Sequence, residues 1–142
     1  MSAHSFQVTF DCADVQRLAT FWAVALNYEL EPPPSGHDSW ESWATERGIP
    51  RDQWRSALVD PAGRGPRLFF QPVPENKVAK NRVHFDVNVT TRGASAADNL
   101  TAVDDHVSRC AAAGGQVLNR FDAPGETYTV MTDPEGNEFC VQ

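Results

Sequence analysis

The stretch Asn81-Arg82-Val83-His84-Phe85-Asp86-Val87-Asn88-Val89 decides how the chain is read. Successive side chains of a strand point to opposite faces, so Val83, Phe85, Val87 and Val89 form an apolar row and Arg82, His84, Asp86 and Asn88 a polar one. The pattern predicts a strand that feeds a core with one face. Its other face turns a His-x-Asp-x-Asn row toward either solvent or a polar pocket. An earlier copy lies near the start of the chain. Phe6 to Asp14 alternates in the same way, with Gln7, Thr9 and Asp11 opposite Phe6, Val8, Phe10 and Cys12, and this puts Gln7 in the place equivalent to His84.

Working outward, each copy is followed by a helical pattern and then by more strand-like runs. Asp14 is a good N-cap, and Val15, Leu18, Ala19, Trp22, Ala25 and Leu26 recur at helical spacing up to about Tyr28. Pro32-Pro33-Pro34 cannot continue a helix. Residues 56–59 and 68–73 read as strands joined by the turn Asp60 to Pro66. In the second half a helix is expected over 102–113, capped by Thr101 and Asp104 and stopped at Gly114-Gly115, after a polar loop over 91–99. Strands are expected over 116–121, 128–132 and 138–142. In the last, Glu138, Cys140 and Gln142 share one face and Phe139 and Val141 the other.

The fold class expected is α+β: two tandem βαβββ modules forming a curved, cleft-enclosing mixed sheet, with a short helical insertion after the second strand. Residues 1–142 form one domain, with modules 1–76 and 77–142 and the insertion at 35–55. The insertion holds Trp40, Trp43 and Trp54, three of the four tryptophans. Asp38 and Glu41 are the expected capping pair of its helix, and Pro50 opens a further turn. The indoles either staple a surface helix to the sheet or form a lid over a ligand cavity.

The net charge of −7 argues against nucleic acid, whose phosphates demand a basic face. No apolar run approaches the ~20 residues that span a bilayer, and no charged-then-apolar leader is seen, so a cytoplasmic protein is expected. Three cysteines without a Cys-x-x-Cys spacing suit reduced, packed side chains better than a disulfide framework.

The paired modules, the His84 strand and the ending Thr132-Asp133-Pro134-Glu135-Gly136-Asn137-Glu138-Phe139 resemble the vicinal oxygen chelate superfamily, which contains glyoxalase I, extradiol dioxygenases and bleomycin-resistance proteins. The run Asp60-Pro61 to Gln71, followed by Val73-Pro74-Glu75 and Lys80 to His84, is similar to the glyoxalase-like domains common in actinobacteria. In metal-dependent members the ligands come from the first, fourth, fifth and eighth strands. Carried over, those places are Gln7, Gln71, His84 and Cys140. Glutamine occurs at the first-strand place in some glyoxalase I proteins, but the carboxylates of the other places are missing here. A metal that polarises a substrate needs anionic ligands beside imidazole, and glyoxalase chemistry also needs a carboxylate base.

The resemblance therefore implies a protein that binds a small aromatic or polycyclic ligand with no catalytic metal or other cofactor, as bleomycin-resistance proteins do. Its site would comprise Gln7, Thr9, Gln71, His84, Asp86 and Cys140, closed by Trp40, Trp43 and Trp54. His84 is then a hydrogen-bonded pocket residue or a ligand contact. The alternative is a metal-dependent lyase, isomerase or dioxygenase, with Zn, Ni or Fe on His84 and Gln7 together with Glu138 or Cys140, and with Glu138 or Asp86 moving a proton. A homodimer is expected, since most soluble oligomers are symmetric pairs.

Overall fold

Alternation of apolar and polar residues draws Gln7–Cys12 into the first strand, β1, and the same period recurs in Arg67–Pro72, here β4. The computed structural model describes every residue from Met1 to Gln142. The chain is α+β and separates into two units, Met1–Ala23 with Asn27–Asn76, and Val24–Leu26 with Lys77–Gln142. Each unit holds one four-stranded mixed sheet.

In the first unit, α1 (Val15–Leu26), β2 (Glu29–Leu30), α2 (Trp40–Glu46), a 3-10 turn at Arg51–Gln53 and β3 (Ser56–Val59) lie between β1 and β4. The strand order is β1-β4-β3-β2, with β1 parallel to β4 and the other pairs antiparallel. Asp14 caps α1, its carboxylate accepting from the Arg17 N–H at 3.0 Å. Asn27 ends the helix at φ 53°, in the left-handed region that Asn tolerates. Phe10 packs on Trp22 and Phe70, with ring centroids 5.1 and 5.3 Å away, and Leu18, Phe21, Leu58 and Leu68 complete a core closed to solvent. The expected helical insertion is present, but its cap is not Asp38 with Glu41. Ser39 and Ser42 exchange the two capping bonds, because a hydroxyl three residues on can return to the N-cap N–H as well as an acid can.

In the second unit, β5 (Asp86–Val87) is followed by α3 (Ala96–Ala112), β6 (Gln116–Ala123), β7 (Glu126–Thr132) and β8 (Glu138–Val141). The order is β5-β8-β7-β6, with β5 parallel to β8. Helix α3 starts six residues before the expected Ala102. Ser95 caps it by accepting from the Asp98 N–H at 3.0 Å, and the alanines that follow favour helix strongly enough to need no apolar period. Val103, His106 and Cys110 form its buried stripe. The apolar period places Leu100, Val103, Val107, Cys110 and Ala111 on the buried side, yet Val107 is only half-buried and Ala111 is exposed. The Asp133 carboxylate, closed to solvent, accepts from the N–H groups of Glu135 and Asn137 and from the Asn137 side chain, which fixes the turn into β8.

The strand expected over 81–89 is a correction. Its ladder begins only where Phe85 O accepts from the Cys140 N–H (2.8 Å) and continues through Val87 O and the Gln142 N–H (2.9 Å). Because β8 starts at Glu138, earlier residues have no partner strand, and Val83 is 80% exposed instead of buried. Glu138 itself holds the incoming segment. It accepts from the Asn81 N–H at 2.9 Å and pairs with Lys77 at 3.2 Å. The Asn81 bond, with Lys77 adding to it, keeps this carboxyl below the ordinary range, so its contribution exists while it is ionised and is lost as pH falls through the folded-state pKa. Glu138→Gln should therefore destabilise the protein by about 1 kcal/mol at neutral pH. Urea unfolding should show the difference from the parent shrinking at acidic pH, and a pH-independent difference would count against this role.

Candidate functional site

The insertion of the first unit builds an aromatic cavity. Helix α2 carries Trp40 and Trp43 edge to face at 5.4 Å, as helical neighbours three residues apart can be. The Trp40 indole N–H donates to Glu31 O at 2.7 Å and that of Trp54 to Ile49 O at 3.0 Å, so both rings are anchored by their polar edge. Trp40, Trp43, Trp54 and Phe69 line a cavity of ≈ 580 Å³ together with Arg51 and Arg55. Phe69 pairs in register with Thr9 on β1 and Ala57 on β3. By alternation it shares a face with Gln7, Thr9, Asp11 and Gln71, so the insertion covers part of the polar face of this sheet.

That polar face is internally bonded. The guanidinium of Arg67 donates to both oxygens of Glu31 at 2.9 and 2.6 Å, and to Gln7 Oε1 at 3.0 Å. Gln71 Nε2 donates to Asp11 at 2.8 Å. Register sets Gln7 beside Arg67 and Gln71 beside Asp11, so the two glutamines stand four residues apart, about 13 Å along the strands, and do not converge. Thr9 lies between them, next to Phe69.

The second unit assembles a different group. Parallel pairing sets Asp86 against Cys140, and His84, two residues before Asp86, reaches the same place. His84 Nε2 is 3.3 Å from Asp86 Oδ1, and one ligand atom from each of His84, Asp86 and Cys140 lies within 4.8 Å of the other two. These residues, with Tyr128 and Gln142, edge an open concavity of ≈ 1090 Å³. Burial, reinforced by the Asp86 carboxylate to which it is hydrogen-bonded, pushes the Cys140 thiol up. An imidazole, a carboxylate and a thiol this close fit the donor chemistry of a borderline divalent ion, provided the thiol surrenders its proton on binding. Asp86 therefore joins the ligand places that sequence gave to His84 and Cys140. Glu138 is instead bound to Asn81 and Lys77, which depress its basicity.

Sequence reading did not assign Phe69, Arg51, Arg55 or Arg67 to a site. The signal for Phe69 was its two-residue spacing from Gln71. Arg51 and Arg55 sit in a segment without periodicity, where nothing marks their direction, and Arg67 opens β4 on the face it shares with Phe69 and Gln71.

The glyoxalase-like domain matches residues 7–142. None of the curated proteins compared matches the chain. Among solved structures, the fosfomycin resistance protein FosX from Listeria monocytogenes, as a point variant complexed with Mn(II) and 1S,2S-dihydroxypropylphosphonic acid, superposes with a TM-score of 0.67 at 12% identity, covering 100% of this chain and 92% of that one. A hypothetical protein from S. aureus gives 0.61 at 16% identity over 97% and 95%. A glyoxalase/bleomycin resistance protein/dioxygenase family enzyme from Burkholderia phytofirmans gives 0.61 at 15% over 95% and 94%. At such identities the likeness is one of fold. With two βαβββ modules, a first-to-last parallel strand pair in each, and a family match over nearly its whole length, the chain belongs to the glyoxalase-like domain family of the vicinal oxygen chelate superfamily.

Proposed function

We propose that this protein binds a small organic ligand with an aromatic or polycyclic body in the cavity beneath the Trp40 to Trp54 insertion, without a catalytic metal, and that modules 1–76 and 77–142 act as one domain. The observation that carries this reading is the set of four aromatic side chains around a single ≈ 580 Å³ space. Ligand pockets commonly occupy ~300–1,000 Å³, with apolar walls and a few placed polar groups. The indole N–H bonds of Trp40 and Trp54 hold the rings before any ligand arrives, which lowers the ordering cost of binding.

A metal-dependent lyase, isomerase or dioxygenase is the second reading, and one observation favours it: the convergence of His84, Asp86 and Cys140. Those three residues would hold the ion, which when bound would supply Lewis-acid polarisation of a substrate oxygen. The metal-free reading stands ahead because the other expected participants are engaged elsewhere. Gln7 is bonded to Arg67 and Glu138 to Asn81 and Lys77, and Asp86 cannot serve as a free base while it is a ligand. Free cysteines, and the lack of any helix long and apolar enough to cross a membrane, are in keeping with a cytoplasmic location, and we propose a homodimer.

Four outcomes are expected. Elemental analysis of protein purified without added metal or chelator should find well under about one transition metal per chain; near-stoichiometric metal that disappears in His84→Ala would establish the second reading instead. Aromatic fragments should move the indole N–H signals of Trp40, Trp43 and Trp54 in NMR spectra and leave that of the core Trp22 in place. Trp43→Ala should weaken such binding about tenfold, the loss of one ring contact of about 1 kcal/mol or slightly more. If no fragment perturbs these indoles, the cavity is packing alone. Light scattering should return twice the chain mass, and a monomer at all concentrations would remove the dimer from the proposal.

A further inference from the structure

From the arrangement of cations around the aromatic cavity we infer that its ligand is a flat aromatic anion of the aryl carboxylate class, its ring among the indoles and its acid group on Arg51 and Arg55. The inference rests on the binding reading above and adds the sign of the ligand's charge. Four guanidinium groups lie over the rings of this region. Arg47 is 4.8 Å from the Trp43 ring centroid, Arg51 5.7 Å from Trp54, and Arg55 and Arg67 are 6.0 and 5.1 Å from Phe69. Arg67 is neutralised by Glu31 in a two-point ion pair. Arg51 and Arg55, which line the cavity, have no carboxylate within ion-pair distance, in a chain with 19 acidic and only 12 basic residues.

A guanidinium whose charge lies over a ring at 5.7 or 6.0 Å still has N–H donors to spend. Paired donors match the two oxygens of a carboxylate, so the ring contact and anion binding do not compete. A cationic ligand faces the opposite situation. The Trp43, Trp54 and Phe69 rings that would attract it already carry arginines, and it would meet Arg51 and Arg55 against the single carboxylate of the lining, Glu41, which pairs with neither. A neutral ligand gains the aromatic contacts but leaves the guanidinium edges to water. The preference for an anion must be local, because the chain's overall charge of −7 repels anions at long range.

Isothermal titration of the full chain with three probes of one shape, 2-naphthoate, 2-naphthamide and 2-naphthylmethylammonium, tests this. The expected result is that naphthoate binds about tenfold tighter than the amide, with the ammonium weakest. In the double variant Arg51→Gln/Arg55→Gln, naphthoate should fall to the level of the amide measured with the same variant, and an unchanged far-ultraviolet circular dichroism spectrum reports that the variant is folded. Equal binding of naphthoate and amide to the parent protein, tighter binding of the ammonium, or an undiminished naphthoate preference in the double variant would each overturn the inference and leave the binding reading standing. If the double variant does not fold, the probe series on the parent decides alone. Failure of all three probes to bind would overturn the binding reading and the inference with it.

Discussion

In each unit the first strand of the module lies parallel to its last, β1 on β4 and β5 on β8, and the remaining geometry depends on that pairing. Parallel neighbours cannot be joined by a tight turn, so a long crossover must intervene before the chain returns, and in each unit it includes a helix and two further strands. The return sets residues more than fifty positions apart side by side: Gln7 by Arg67, Asp11 by Gln71, Asp86 by Cys140. Directly paired residues share a face. Within each unit the apolar rows therefore meet in its core, Phe10 stacking on Phe70 in the first and Phe139 and Val141 closed to solvent in the second, while the polar rows meet each other on the opposite side.

The two units use their polar rows differently. In the first, charge and amide groups satisfy one another through Glu31, Arg67 and Gln7, and through Asp11 and Gln71, and an insertion of indoles then covers part of the same face. In the second, a histidine, an aspartate and a thiol come together at the edge of an open concavity, and the acid that would have completed a catalytic set, Glu138, ties down the segment that leads into β5. One architecture thus carries an aromatic, arginine-rimmed cavity and a small polar cluster. Membership of the family does not choose between them.

Much of this was legible along the chain. The period-two rows of residues 7–12 and 138–141, the Asp14 cap and the helical stripe from Val15 to Leu26 all follow from local alternation and capping, which depend on near neighbours only, while Phe6, expected in the apolar row, lies before the strand and is exposed. Where local patterns misled, a specific competitor was responsible. Val83 continues the apolar alternation of Val87, yet it has no partner strand and lies exposed. Two alanines behind a serine cap start α3 earlier than its apolar period suggests. At the insertion, Ser39 and Ser42 close the box expected of acids.

The amino-acid sequence by itself determined the two βαβββ modules, the position of the aromatic insertion, and the core-facing rows of β1 and β8, because these are consequences of period, turn chemistry and backbone sterics. Only the tertiary structure decided the register of β1 on β4 and the early end of the β5 ladder. It alone engaged Gln7 and Glu138 elsewhere, brought Asp86 to His84 and Cys140, and laid unpaired arginines over the rings of the cavity. The physical reason is that register and side-chain pairing are settled by contacts between segments far apart in the chain, where one residue of slip reverses every face, and no local pattern encodes which partner arrives.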